Sequence, residues 1–245
     1  MGTRLHSHIV YIAHLESIFA MNLHSTKKQL NLLIRDLEFY CVDYPSRESR
    51  IEYLAWLANK FIRGLFLSRD FRLNVLVRLS HAKILVVSRI ADSLIFYLYG
   101  SWIPPGSRLN CRIRFCHARS VIIGNRVEMT GEFAYIFNNV TIGKLIPGSK
   151  KYPDDMPRFE GSTVFGVGSV VVGRLTAKHN VVFSANCFCS QLDRQRDVTV
   201  TGHNIERDGV YFTKEEYRHV NFPFIAPRWA QLRVPIPEAL GNKAT

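Results

Sequence analysis

Apolar or small residues recur every six positions through the second half of this chain, and few architectures tolerate such a period. One series runs Ile103, Leu109, Phe115, Val121, Val127, Phe133; a second runs Phe159, Phe165, Val171, Ala177, Phe183, Cys189. An α-helix repeats about every 3.6 residues and a strand every two. An antiparallel sandwich needs alternation, with turns about every 8 to 12 residues. A six-residue repeat instead fits a parallel β-helix, in which each short strand sends a side chain inward, a turn comes next, and three such units close a coil. Each coil touches only its neighbours, so stability accumulates along the stack. Gly124, Gly143, Gly166, Gly168 and Gly173 fall beside the inward column, where tight corners need small residues.

The period has clear limits. Residues 1–100 carry helical spacing instead: Leu30, Leu33, Ile34 and Leu37, then Leu54, Leu57, Ala58 and Phe61, fall at three- and four-residue steps. Pro45 disfavours helix at Tyr44, Ser46 can cap the next start, and Gly64 and Gly100 punctuate the later helical segments. The texture changes at Trp102-Ile103-Pro104-Pro105-Gly106. Between the two series lies Lys144 to Arg158, polar and rich in Gly, Pro, Lys and Asp, which reads as a loop thrown out from a coil. After Asn204 the hexads stop, and a tail with Pro223, Pro227, Pro235 and Pro237 runs to Thr245, expected to pack across the helix end or a neighbouring subunit. The expected class is therefore α+β: an α-helical domain over 1–100, a parallel β-helix over 101–205 with one extruded loop, and a C-terminal tail over 206–245.

Composition narrows the function. Lys and Arg number 32 against 20 Asp and Glu, a formal charge of +12 that favours an anionic partner. The basic residues form no dense run and no aromatic-basic stripe, which argues against nucleic acid. Cys41, Cys111, Cys116, Cys187 and Cys189 are odd in number and lack CxxC spacing, so neither a metal centre nor a disulfide framework is expected. With reduced thiols and no secretory signal layout at the N-terminus, the reading is a cytoplasmic protein. The apolar stretch Ile84 to Tyr99 carries Arg89 and Asp92 and falls short of the ~20 residues that cross a bilayer. Arg63, Arg69, Arg72, Arg78, Lys83 and Arg89 interleave with apolar residues, a pattern compatible with peripheral contact at the inner face of a membrane, although arginines facing water explain it as simply.

The hexads, the helical N-terminal domain and the segment Phe115-Cys116-His117-Ala118-Arg119-Ser120-Val121-Ile122-Ile123-Gly124 together resemble the serine acetyltransferase branch of the hexapeptide-repeat acyltransferases, over roughly residues 70 to 205. Val140-Thr141-Ile142-Gly143 and the Pro157 to Gly168 stretch are similar to the family in order and spacing. The resemblance implies a left-handed β-helix, acetyl-CoA as co-substrate, no metal, and a homotrimer or dimer of trimers with sites between adjacent subunits. In the family a His-Ala/Gly-x-x-Ile-Val-Ile-Gly segment supplies the general base, and His117 falls on its histidine. An imidazole suits that task because its ordinary pKa lies near about 6.5. The implied chemistry is direct transfer: His117 takes the acceptor hydroxyl's proton, the oxygen attacks the thioester, and a backbone N–H stabilises the oxyanion. Val167 and Ala185 match positions whose backbone holds the pantetheine arm; Arg174 and Lys178, with Arg194 and Arg196, are available for the CoA phosphates.

Departures from the family shape the acceptor expectation. Trp102 stands near the place of an acidic residue that orients the base and meets the amino acid, Cys116 replaces the acidic neighbour of the histidine, and Met156 replaces a second active-site histidine. The stretch Asp70 to Tyr99 also looks similar to shorter enzymes that acetylate exopolysaccharides. The expectation is thus an O-acetyltransferase acting on an acidic polysaccharide or sugar precursor, such as a capsule component, with Asn138, Asn139, Trp102 and Met156 around the acceptor. Serine O-acetylation in cysteine biosynthesis and a non-catalytic trimeric scaffold are the alternatives.

Overall fold

The computed structural model describes residues 24–41, 50–117, 119–145, 156–192, 196–203 and the backbone of 205–208. Most of the expected loop, the tail beyond 208 and Arg194 lie outside the described residues. Among the described residues four helices come first: α1 (24–40), α2 (Arg50–Leu67), α3 (Arg69–Ser80) and α4 (Leu85–Tyr99). Gly100, at φ 58°, ends α4 and turns the chain into the solenoid.

The strands of the solenoid are short and visit three faces in rotation. The first face holds β1 (Arg108–Leu109), β4 (Glu128–Met129), β7 (Arg158–Phe159) and β10 (Thr176–Ala177). The second holds β2 (Arg112–Cys116), β5 (Phe133–Phe137), β8 (Thr163–Phe165), β11 (Val181–Phe183) and β13 (Val198–Thr201), closed by β14 (Ile205–Asp208) running antiparallel. The third holds β3 (Ile122–Ile123), β6 (Thr141–Gly143), β9 (Val170–Val172) and β12 (Phe188–Cys189). All other pairings are parallel, and Thr163 lies beside Val181 as Val170 lies beside Phe188, one coil of three hexads apart. The chain is a parallel β-helix of about four coils preceded by helices, as the six-residue period requires.

All twelve hexad residues are buried, none more than 7 % exposed. In the second series they form the column itself, where Phe159 meets Phe165 edge-on at 5.1 Å and Phe165 stacks on Phe183 at 5.2 Å. The first series slips out of phase. Register pairs Phe115 with Ile136 and Ile123 with Ile142, so the corner after Phe115 is two residues longer than the corner after Ile136. Phe133 leaves the column and packs outside it with Phe39 of α1 and Tyr135. The lengthened corner is the segment that carries His117.

An open β-helix end exposes unpaired backbone groups and is a template for unwanted pairing. Here α1 and α3 cap it with side chains. The amide of Ile113 donates to Asp36 Oδ1 at 2.8 Å, and its carbonyl accepts from Asn74 Nδ2 at 2.8 Å. Arg78 donates to the carbonyls of Leu109 at 2.6 Å and Cys111 at 2.7 Å, and pairs with Asp36 through two further bonds of 2.7 and 3.0 Å. The Tyr40 hydroxyl accepts from the Phe115 amide and donates to its carbonyl. Leu73, Val77, Ile95 and Tyr99 continue the solenoid core upward. Burial pushes the Asp36 carboxyl up from its ordinary value, and the Arg78 guanidinium pulls it back.

His81, at the end of α3, is buried neutral in this cap. Its Nδ1–H donates to the Val77 carbonyl at 2.8 Å, and Nε2 faces the Ser107 hydroxyl at 3.0 Å. Burial pulls its pKa down to about 4. The unfolded chain therefore binds a proton that the folded chain refuses between pH 6.5 and about 4. This contribution to stability is complete above the unfolded pKa and falls, by roughly 3 kcal/mol in all, as pH drops through that window. Urea denaturation of the native chain at pH 7 and pH 4.5 should show a pH-dependent loss that His81→Gln largely removes; an equal loss in the variant would rule His81 out as its source.

Candidate active site

The edge between the second and third faces repeats one corner. Ser120, Asn139, Gly168 and Asn186 all adopt positive φ, between 52° and 67°, and each donates its amide one coil up: to the carbonyls of Tyr99, Arg119, Asn138 and Val167 at 2.8 to 3.0 Å. Asparagine and glycine are the residues that enter this left-handed conformation most readily. The residue before each, namely Arg119, Asn138, Val167 and Ala185, therefore occupies an equivalent place down the edge. The amides of Asn138, Val167 and Ala185 donate to no backbone carbonyl among the described residues. Gly166 allows the coils to close here, since a Cβ on it would lie 2.6 Å from the Ala185 nitrogen.

His117 stands at the head of this edge, on the lengthened corner, exposed and at φ 58°. A non-glycine residue in that conformation costs about 1–2 kcal/mol unless something holds it. Asp70 holds it: its Oδ2 accepts the His117 backbone N–H at 3.1 Å. Asp70 reaches the corner because Ser68 starts α3 there, its side chain accepting from the Phe71 amide at 3.1 Å, and a carboxylate suits the first turn of a helix. Arg72 ties α3 back to α2 by donating to the Leu65 and Phe66 carbonyls. Leu67, Ser68, Arg69, Asp70, His117 and Arg119 together line an open pocket of about 580 Å³. The imidazole leans on Phe137, ring centres 6.4 Å apart. Arg69 is partly engaged, lying over the Tyr99 ring at 5.6 Å and donating to the Leu98 carbonyl at 3.4 Å.

Cys116, next to His117, has its thiol pushed up to about 12 by burial. A thiol so protonated is a poor nucleophile. Among the described residues no cluster of His, Cys, Asp and Glu could hold a metal ion.

The structure brings His117, Asn138, Asn139, Val167 and Ala185 onto one edge. It does not bring the other expected residues there. Met156 packs on the core beside Gly124 and Gly143, at the edge between the third and first faces, and Trp102 lies outward on the third face beside Ile122. Arg174 follows Gly173 on that same far edge, and Lys178 turns from β10 to β11 on the remaining one. Asp70 and Arg119 are the pocket residues that spacing alone misses. Ser68-Arg69-Asp70 is legible as a helix start, but nothing in the period says that this start lands on a β-helix corner. Helix α3 contributes the Asp70 carboxylate to the pocket, where it accepts the His117 backbone N–H.

No family model matches the chain. Curated serine acetyltransferases are similar to it: that of Staphylococcus aureus (strain Mu50) is 26% identical over 150 residues, covering 60% of this chain and 68% of the relative. That of Staphylococcus xylosus is 27% identical over 151 residues, covering 60% and 66%. The chain thus spans about two thirds of the length of these relatives. Among solved structures, serine acetyltransferase from Neisseria gonorrhoeae superposes with TM-score 0.59 at 16% identity, covering 80% of this chain and 72% of that one. The enzyme from Brucella abortus strain S19 in complex with coenzyme A gives 0.53 at 16%, covering 82% and 76%. The curated serine acetyltransferases overturn the expectation of a glycan acceptor, which rested on the likeness of the Asp70–Tyr99 stretch to exopolysaccharide enzymes and on replaced polar residues of the amino-acid site. The chain is a hexapeptide-repeat parallel β-helix protein, similar in sequence to serine acetyltransferases and sharing their fold.

Proposed function

We propose that the chain is an acetyl-CoA-dependent O-acetyltransferase whose acceptor is the hydroxyl of serine. The observation that carries this reading is the pocket around His117, where a carboxylate and guanidinium groups flank the imidazole. Such a pocket suits a small zwitterion: the ammonium of serine toward Asp70, its carboxylate toward Arg119, its hydroxyl toward His117. The likeness to curated serine acetyltransferases supports the same acceptor.

His117 removes the hydroxyl proton as the serine oxygen attacks the thioester carbonyl, the C–S bond breaks, and CoA leaves as the thiol on taking up a proton. The half-buried, protonated thiol of Cys116 stays out of the reaction, which supports direct transfer over an acyl-enzyme. The amides of Val167 and Ala185, without a backbone acceptor among the described residues, suit an extended amide-bearing chain such as pantetheine laid along the edge below His117. Arg174 and Lys178 would reach CoA phosphates only if another edge met this one, as in the trimer that the resemblance implies.

Asp70→Asn separates charge from geometry, because asparagine still accepts the His117 amide. Loss of one charge-assisted contact is worth about 1.5–3 kcal/mol. The KM for L-serine should rise roughly 10- to 100-fold while the KM for acetyl-CoA stays within about twofold. An unchanged KM for serine would remove Asp70 from the acceptor site.

A further inference from the structure

We propose that the outward face of α4, continued by the end of α2, docks on an anionic phospholipid surface. This rests on the helices alone and is independent of the acceptor. α4 is apolar on both sides. Its packed side buries Ala91, Ile95 and Tyr99, yet the opposite side leaves Leu85 64%, Val86 67%, Ile90 57% and Tyr97 80% exposed. At the Ser68 turn between α2 and α3, Arg69 donates to the Leu98 carbonyl of α4, and Phe66 and Leu67 at the end of α2 stand 77% and 75% exposed. A helix apolar all round is ordinarily buried, and an exposed patch of this kind marks an interaction surface.

Charge selects the occupant. The exposed groups that accompany this face are cations: Lys83 just before α4, Arg89 on its outer side, and Arg63 near the end of α2. Asp92, the acidic residue of α4, sits on the partly buried flank. Two copies meeting through a two-fold on this face would gather the cations of both, Lys83, Arg89 and Arg63, around one apolar interface. An anionic bilayer instead satisfies both features, taking the apolar side chains into the headgroup boundary and drawing the cations to phosphate. At 15 residues α4 is too short to span, and among the described residues no helix is long and apolar enough to cross a membrane. Tyr97, at the far end of the helix, is the residue type that prefers the water–lipid boundary.

Flotation of the full chain with phosphatidylcholine vesicles, with and without phosphatidylglycerol, tests this. Binding to the anionic vesicles should exceed binding to neutral ones by about tenfold or more and weaken with salt. Ile90→Glu and Tyr97→Glu should each reduce it about tenfold, and Arg89→Glu, which leaves the apolar face intact, by several-fold. Circular dichroism checks that each variant is folded, and the native chain's preference between the two vesicles needs no variant at all. Failure to bind either vesicle overturns the proposal. So does binding that Ile90→Glu and Tyr97→Glu leave unchanged, or sedimentation showing that these variants split an assembly in which copies cover the face.

Discussion

His117→Ala should lower turnover of acetyl-CoA with L-serine by about 10²- to 10⁴-fold while leaving the melting transition nearly unmoved. The effect is large because the imidazole is the nitrogen base of the pocket, whose other charged groups are two guanidinium groups and the Asp70 carboxylate that already holds the His117 amide. The fold should survive because His117 is exposed and its side chain belongs to no core cluster. Alanine keeps the amide that Asp70 holds, so the corner itself is retained. A reduction in kcat with an unchanged KM for serine would assign His117 to the chemical step. Turnover within a few-fold of native would remove it as the base.

Asp36→Ala should destabilise the chain by about 3–5 kcal/mol, the cost of leaving a buried charge without its partner. Asp36 is fully buried and Arg78 only 3% exposed, so water cannot replace the lost carboxylate. The Ile113 amide loses its acceptor in the same step. Replacing both charges with apolar residues, as in Asp36→Leu with Arg78→Met, would spare the orphaned charge, but the carbonyls of Leu109 and Cys111 would still lose their donor. The double variant should therefore be less stable than native. Urea denaturation measures both, and a loss below about 1 kcal/mol for Asp36→Ala would show that the cap is held by apolar packing instead.

The β-helix was legible because its constraint is local and repeated: Phe159, Phe165 and Phe183 must each face inward, and a six-residue step is the only way the sequence can say so. The slip at Phe115 was half legible. The extra residue between Phe133 and Val140 is visible as a broken spacing, but that Phe133 exchanges the column for α1 depends on Phe39, far off in sequence. His117 was found through a motif. Asp70 was not, because its role depends on where α3 begins relative to a corner of the solenoid, a tertiary fact without sequence periodicity. Met156 and Trp102 show the converse: matched by position along the chain, they fall within one chain on another edge and another face of the solenoid, a placement that spacing does not convey.

The most direct measurement is thiol release from acetyl-CoA by the native chain, with and without L-serine. Release that depends on serine, saturates with it and yields O-acetylserine is the predicted result. Release that proceeds equally without serine, or none with it although acetyl-CoA binds, would contradict the account.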